Sequence, residues 1–390
     1  MKSIVFCLIV ILTTTSCLRP NVKAEPNERT PQKFAEEEKI EEKAEVVPLS
    51  DIIKLVAVGD NLFHEPMIRP SPSSYNFIPY YIPIKPLIEK ADIAFINQET
   101  LLAGTEFGYS GYPQFNSPQE VGLALIETGF DIINHANNHV MDKGERAVFS
   151  TMDFWEKYPH ITYLGIHRSQ EARNKPIIIE KNNIKLGFLS YTYGTNGLPV
   201  PRDKPYLVSI INTEIMAREI SALRPLCDFL IVSMHWGNEY EHTISVQQRN
   251  LSKFLAEQKV DLVIGHHPHV LQPVEFISRN DGKEMLCVFS LGNFISAQSQ
   301  NPTLLGGLLY IEIKKDGELL YIENQGIVPV VTHYEAGSIN FRVYPLYNYT
   351  QNLLDRHWNK VRSDLSLEYL NNLACEILGK DFLNYNPFAP

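Results

Sequence analysis

Six apolar runs in this chain stop on side chains that can hold a cation or move a proton. LVAVGD ends on Asp60, IAFINQE ends on Glu99, and DIINHANNH runs through Asn134, His135, Asn137, Asn138 and His139. FLIVSMHWGNEY delivers His235, DLVIGHHPH delivers His266, His267 and His269, and VFSLGNF presents Asn293. Of the 12 histidines, those at 135, 139, 235, 266, 267 and 269 fall in just three of these junctions. A lone histidine at a strand end more often caps the strand than binds a metal. The concentration of histidines beside Asp60, Glu99 and Asn138 is what favours a metal. Carboxylate, carboxamide and imidazole donors suit Mn, Zn or Fe(II), and the lack of nearby cysteine argues against a closed structural zinc site. His267 and His269 stand two apart, so on an extended stretch both rings point the same way. The donor count allows one or two divalent ions. A pair ~3.5–4 Å apart would clamp an attacking and a leaving oxygen together.

The elements that must position these groups follow from the pattern around them. From residue 51, short runs rich in Val, Ile and Leu alternate with segments of helical period, which predicts an α/β fold. The runs are too apolar for a sheet with one wet face, so helices are expected on both faces. Helices are predicted over 118–128, 143–157, 213–223 and 245–258, with Ser117 and Ser245 as candidate N-caps. The stretch 176–192, with Asn182-Asn183 inside it, reads as a hairpin. Strands are predicted at 319–324 and 326–332, and helical spacing returns over 350–378 as either a docked pair of helices or a partner-binding appendage. In each of the six runs the polar residues follow the strand. Open α/β sheets bind ligands beyond the carboxyl ends of their strands, so one pooled site is expected there.

Composition narrows the function further. The chain has 390 residues, 44% hydrophobic and 21% charged, with a formal net charge of -10. That balance, with no dense basic stripe, speaks against nucleic acid as a partner. Cys227, Cys287 and Cys375 are too few and too apolar in context for a disulfide framework. Residues 1–17, MKSIVFCLIVILTTTSC, carry one Lys, an apolar run from Ile4 to Leu12 and small polar residues. A run of that length is too short to cross a bilayer and fits a secretory signal. Cys17 after Thr14-Thr15-Ser16 resembles a lipoprotein cleavage box, the other reading being a plain signal peptide with Cys17 incidental. Residues 18–50 are charged, with Pro26, Pro31 and Pro48, and read as a flexible linker that lets a folded domain stand off a membrane surface. The domain is expected over 51–340, with a C-terminal helical extension over 341–390.

Taken in order, AVGDNLF at 57–63, NQE at 97–99, ANNHVMDKG at 136–144, HWGNEY at 235–240, GHHPHV at 265–270 and SLGNF at 290–294 resemble the CapA-type family of bacterial poly-γ-glutamate capsule-synthesis proteins. That resemblance covers about residues 52–315. It implies a layered α/β/α calcineurin-like metallophosphoesterase fold, with central mixed sheets flanked by helices. It also implies Asp60, Glu99, Asn138, His235, His267 and His269 as metal ligands. His139 would protonate a leaving group or stabilise developing charge. Asp142 would orient His139 or cap the next helix. Asn97, Glu239 and Asn293 would brace the site or touch substrate. His266 is a weaker ligand candidate, and His135 and His64 weaker again.

Two departures from the wider fold stand out. Asp60-Asn61-Leu62 lacks the histidine of the usual Asp-x-His, and Asn97-Gln98-Glu99 replaces the usual Gly-Asp-x-x-Asp. Both follow the capsule family, and together they remove one expected first-site ligand. Residues 1–50 lead to the expectation of an exported, membrane-anchored protein, and the resemblance implies that it serves synthesis, export or attachment of an anionic envelope polymer alongside capsule-synthesis subunits. Its chemistry would be metal-dependent hydrolysis of a phosphoester or related bond. A non-catalytic, metal-stabilised assembly subunit and an amidase that trims envelope polymer are the alternatives. Tyr75, Tyr80, Tyr81, Tyr109 and Tyr112 either line a substrate rim or pack loops. Arg69, Arg146 and Arg202 either meet an anionic polymer or simply solvate the surface.

Overall fold

The computed structural model of the protein describes residues 51–69 and 75–383. The segments read above as leader and linker, 1–17 and 18–50, lie outside the described residues. In chain order the strands are β1 Ile52–Asn61, β2 Ile93–Gln98, β3 Ile132–Asn134, β4 Thr162–Leu164, β5 Ile178–Lys181, β6 Ile184–Thr192 and β7 Phe229–His235. They continue as β8 Leu262–His266, β9 Val274–Ser278, β10 Glu284–Val288, β11 Asn293–Ile295, β12 Leu305–Asp316, β13 Leu319–Glu335 and β14 Ile339–Pro345. One sheet runs β14-β13-β12-β1-β2-β3-β4, with β11 also paired to β1, and the other runs β5-β6-β7-β8-β10-β9. β1 to β4 are mutually parallel, as are β6, β7, β8 and β10, while the outer strands are antiparallel. The fold is thus a layered α/β arrangement with two mixed sheets at its centre.

Alternation within β7 shows how the layers form. Phe229 and Ile231 join the core that contains Phe95 of β2, whereas Leu230, Val232 and Met234 pack with Met216, Ile220, Leu251 and Leu255 from the helices Thr213–Leu223 and Val246–Glu257. Both faces are buried, as the apolar runs required. The cover differs from the expectation, because one face meets the other sheet and only the opposite face meets helices. Each fully buried Leu or Ile contributes roughly 1.5–3 kcal/mol against the entropy of ordering it.

The helix Val246–Glu257 starts as read, with Ser245 and Gln248 forming a reciprocal capping box. Asn212 caps Thr213–Leu223 by accepting from the Glu214 and Ile215 amides at 3.1 and 3.0 Å. Ser117 does not cap. Its hydroxyl is buried against Thr100 Oγ1 at 2.7 Å, and the helix Glu120–Thr128 begins after Gln119 without a side-chain cap. The hairpin β5-β6 turns through Asn182 and Asn183 at φ 49° and 60°, a left-handed pair that a two-residue turn needs. The two strands expected at 319–324 and 326–332 are one, β13. A register shift pairs Glu312 with Asn324 and Ile313 with Ile322, leaving Glu323 as a bulge.

The boundary expected at 340/341 falls inside β14, which pairs with β13, so the sheet extends to Pro345. The helical tail follows as Gln351–Arg356 and Leu367–Leu378, and Leu354, Leu365, Leu370, Ala374 and Leu378 join the main core. It is docked on the domain. Among the described residues, no helix is long and apolar enough to cross a membrane. Cys227, Cys287 and Cys375 are free thiols.

Candidate metal centre

Register puts the polar strand ends in one band. Asp60 lies beside Asn97 of β2 and Asn293 of β11, Asn97 lies beside Asn134 of β3, and His235 of β7 lies beside His266 of β8. Two glycines let the chain close in at this point. A Cβ on Gly59 would sit 1.9 Å from the Gly292 carbonyl oxygen, and one on Gly265 would sit 1.9 Å from that of Phe289. The segment 289–293 therefore passes directly over both strand ends, and the Asp60 amide donates to Gly292 O at 2.9 Å.

Asparagines form a relay that fixes the first carboxylate. Asn134 Nδ2 donates to Asn97 Oδ1 at 2.9 Å, and Asn97 Nδ2 donates to Asp60 Oδ1 at 2.8 Å. The other Asp60 oxygen accepts from the His267 amide at 3.3 Å and lies 3.1 Å from His269 Nδ1. Burial alone would raise the Asp60 carboxyl, but His266 and His269 beside it hold it well below the usual range. Glu99 has the opposite balance. It is fully buried, neither carboxylate oxygen has a hydrogen-bond partner among the described residues, and burial with the neighbouring Asp60 charge pushes its pKa well up. His235 Nε2 and His269 Nε2 each stand 3.7 Å from Glu99 Oε1.

The remaining donors converge on Glu99. Asn138 Oδ1 lies 2.8 Å from His235 Nε2. Ligand atoms of Glu99, His267 and His269 lie within 4.8 Å of one another, as do those of Asp60, Glu99 and His235. Nδ1 of His235 and Nδ1 of His267 have no partner among the described residues. Asn293 Oδ1 and Asp60 Oδ2 both take His269 Nδ1 at 3.1 Å, which sets the ring so that Nε2 faces Glu99. His267 and His269 hold left-handed backbones, φ 98° and 59°, a strained conformation for residues with side chains.

A buried, unpaired carboxylate facing imidazole nitrogens is costly in isolation. A divalent cation would satisfy those atoms together, so the residues present fit such an ion. The Asp-x-His position is filled by Leu62, a buried apolar residue. Its side chain has no atom that could replace the missing imidazole.

His139 and Asp142 come together as a pair. His139 Nδ1 donates to Asp142 Oδ2 at 2.8 Å, and the same oxygen accepts the Phe115 amide at 2.7 Å. Asp142 therefore orients His139 instead of capping the following helix, whose N-cap is Gly144. Phe115 braces the imidazole edge-on, with ring centroids 4.6 Å apart. Asn137 shapes the loop by donating to Gln98 O at 3.0 Å and accepting the His139 amide at 3.0 Å.

The other candidates sit beside this cluster or away from it. His135 lies in the core and accepts the Trp155 indole N–H at 2.7 Å, burial pushing its pKa down to about 3. His266 is buried against Phe95, with Nδ1 3.5 Å from Asp60 Oδ1. His64 is braced by Leu62 O and the Ala297 amide. Glu239 is exposed on the rim, where its charge reaches Glu99 and His269, so it does not brace the interior. Among the tyrosines, Tyr81 is buried with its hydroxyl on Asn61 Oδ1, Tyr80 bonds Met67 O, and Tyr75 packs on Tyr109, while Tyr112 stands exposed. Arg146 is exposed and 3.5 Å from Glu106, and Arg69 and Arg202 are exposed.

Three contributors were not read from the sequence. Tyr193 lies with its ring 4.6 Å from that of His267, and its hydroxyl donates to Asn196 Oδ1 at 3.2 Å. Asn196 Oδ1 also accepts Asn138 Nδ2 at 3.3 Å, which turns the Asn138 carboxamide so that its oxygen faces His235. Tyr240 lies with its ring centroid 6.0 Å from that of His269. Tyr240 closes the HWGNEY motif, and the sign of the other two was a Thr-Tyr-Gly-Thr-Asn-Gly turn at 192–197, following β6 as the ligand motifs follow their strands.

An α/β domain whose strand ends pool carboxylate, carboxamide and imidazole around one buried point is a candidate metal-binding protein. The family described as bacterial capsule synthesis protein PGA_cap matches residues 54–298, well over half of the chain, and the chain belongs to that family. It is 29% identical over 195 residues to the PGA biosynthesis protein CapA of Bacillus subtilis (strain 168), covering 50% of each chain. It is 27% identical over 207 residues to the capsule biosynthesis protein CapA of Bacillus anthracis, covering 52% of this chain and 49% of that one. The alignment thus spans about half the length of these curated relatives. Among solved structures, the calcineurin-like phosphoesterase YfkN of Bacillus subtilis overlays with a TM-score of 0.42 and 13% identity, covering 82% of this chain and 99% of that chain.

Proposed function

We propose that this protein is a metal-dependent hydrolase of the cell envelope, acting on a phosphoester or related bond during synthesis, export or anchoring of a poly-γ-glutamate-like polymer. The observation that carries the proposal is Glu99, a buried carboxylate with both oxygens unpaired among imidazole nitrogens. Asp60, Glu99, Asn138, His235, His267 and His269 would hold one or two divalent ions, Mn, Zn or Fe. When bound, such ions supply Lewis-acid polarisation and a lower pKa for water. The chain's own residues do the rest. Asp142 accepts a hydrogen bond from His139 Nδ1–H and so orients the ring, whose imidazolium Nε2–H would give its proton to the leaving oxygen. Asn97 and Asn293 hold Asp60 and His269 in place, and the part-exposed Tyr193 and Tyr240 rings lie against His267 and His269.

Leu62 in place of a ligand histidine favours a second reading, a non-catalytic assembly subunit that keeps one ion for stability. The test is a panel of phosphoesters and γ-glutamyl chains assayed with Mn, Zn and Fe, using the wild type, His235→Ala and His139→Asn. Hydrolase chemistry predicts metal-dependent turnover, loss of metal and activity in His235→Ala, and loss of activity with metal retained in His139→Asn. Metal retention without turnover on any substrate would favour the assembly reading, and cleavage of γ-glutamyl amides alone would favour an amidase. Export with lipid attachment at Cys17 belongs to the same proposal, and Cys17→Ser should release the protein from the membrane fraction.

A further inference from the structure

A cavity of about 550 Å³ lies between the edge strand β4, the strand β6 and the helices Gln170–Asn174 and Thr213–Leu223, and shares no lining residue with the metal centre. Its volume is that of a small-molecule site, which typically spans ~300–1,000 Å³. A smaller cavity of about 300 Å³ shares Arg173, Pro205 and Ile215 with it.

Arg173 is the polar focus. Its side chain is only 6% exposed. Nε donates to Glu219 Oε1 at 2.8 Å and Nη1 to Pro205 O at 3.3 Å, while the second Glu219 oxygen accepts the Tyr191 hydroxyl at 2.6 Å. Nη2 has no partner among the described residues, and neither has the buried Ser190 Oγ, another lining residue. A buried guanidinium nitrogen without an acceptor is expensive, and an anionic oxygen would complete it with a charge-assisted bond.

The charge balance agrees. Arg173, Lys175 and Arg218 line the cavity against the single carboxylate of Glu219, in a chain whose overall charge is -10. His167 adds no charge, because burial pushes its pKa down to about 3 and its Nε2 lies 3.0 Å from Ser209 Oγ. Phe188, Ile177 and Leu189 supply apolar wall.

We propose that this cavity binds a small amphipathic anion, a carboxylate carried on a hydrocarbon body. The carboxylate meets Arg173 Nη2 and Ser190 Oγ, and the hydrocarbon lies against Phe188 and its apolar neighbours. The test is calorimetric titration of the full chain with sodium octanoate, with 1-octanol as the uncharged control. Arg173→Gln removes the anion's partner but also strips Glu219 of its own, so Ala222→Trp is made alongside it. That residue lines the cavity from an exposed helix position, where a bulky ring blocks entry without disturbing the core. Urea unfolding of each variant, followed by tryptophan fluorescence, reports that the fold is kept. Expected is saturable one-site octanoate binding, weakened about tenfold or more for 1-octanol and for both variants, the scale of a lost charge-assisted bond. No saturable octanoate binding, equal affinity for 1-octanol, or undiminished binding by Ala222→Trp would each overturn the proposal.

Discussion

Replacing Glu99 by Gln should raise the stability of the metal-free protein and abolish the stabilisation that metal gives. In the folded chain Glu99 is fully buried, and both its oxygens lack partners among the described residues. A buried polar group left unsatisfied costs ~1–3 kcal/mol, and more when charged. The carboxamide of Gln keeps the shape and is neutral without a proton, whereas the Glu99 carboxyl, its pKa pushed well up, must hold a buried charge or take up a proton to fold, so a gain of ~1–2 kcal/mol is expected in chelator. With metal the order reverses. An ion at 100 times its dissociation constant stabilises the wild type by ~2.7 kcal/mol, and a site short of its shared carboxylate gains little. Urea unfolding followed by tryptophan fluorescence, with EDTA and with Mn, measures both arms. A variant less stable than wild type in EDTA, or stabilised by Mn as strongly as wild type, would refute the reasoning.

Gly59→Ala places a methyl 1.9 Å from the Gly292 carbonyl oxygen, which is backbone and cannot swing aside, so a loss of ~3 kcal/mol or more is expected in the same unfolding assay. Asn196→Leu removes the acceptor that turns the Asn138 carboxamide, and metal affinity should fall ~10–100-fold by competition with a chelating dye, while Asn196→Asp, which keeps an acceptor oxygen, stays near wild type. His135 is neutral in the fold with its pKa pushed down to about 3 from 6.5, so the unfolded chain binds the extra proton between those values. Its share of stability is complete above pH 6.5 and is lost as pH falls toward 3. Unfolding free energies at pH 6 and pH 5 should therefore differ by ~1.2 kcal/mol less in His135→Gln than in wild type, and equal slopes would remove His135 from the account.

The site was legible where side-chain chemistry and strand ends coincide. Asp60, Glu99, His235 and His267 each close an apolar run or lie just beyond one, and parallel register carries Asp60, Asn97 and Asn134 into one band without help from distant contacts. The layering was less legible. A run such as FLIVSMH records that both faces are buried, but nothing local says that one face meets a second sheet. Ser117 has the type and place of an N-cap, and a contact with Thr100, seventeen residues earlier in the chain, takes its hydroxyl instead. Asn196 and Tyr193 escaped for a similar reason. They are ordinary turn residues whose importance comes from Asn138 and His267, brought close only by the fold. The break read between 324 and 326 was real as a local irregularity, but the ladder absorbs it as a bulge within β13.

The central claim is that residues from both sheets share one cation-binding site. Elemental analysis of the full chain purified without chelator, beside His235→Ala and His267→Ala, addresses it most directly. The account predicts one or two equivalents of Mn, Zn or Fe in the wild type and a clear loss in both variants with the fold kept. Wild-type protein free of these metals, or variants with undiminished metal content, would contradict it.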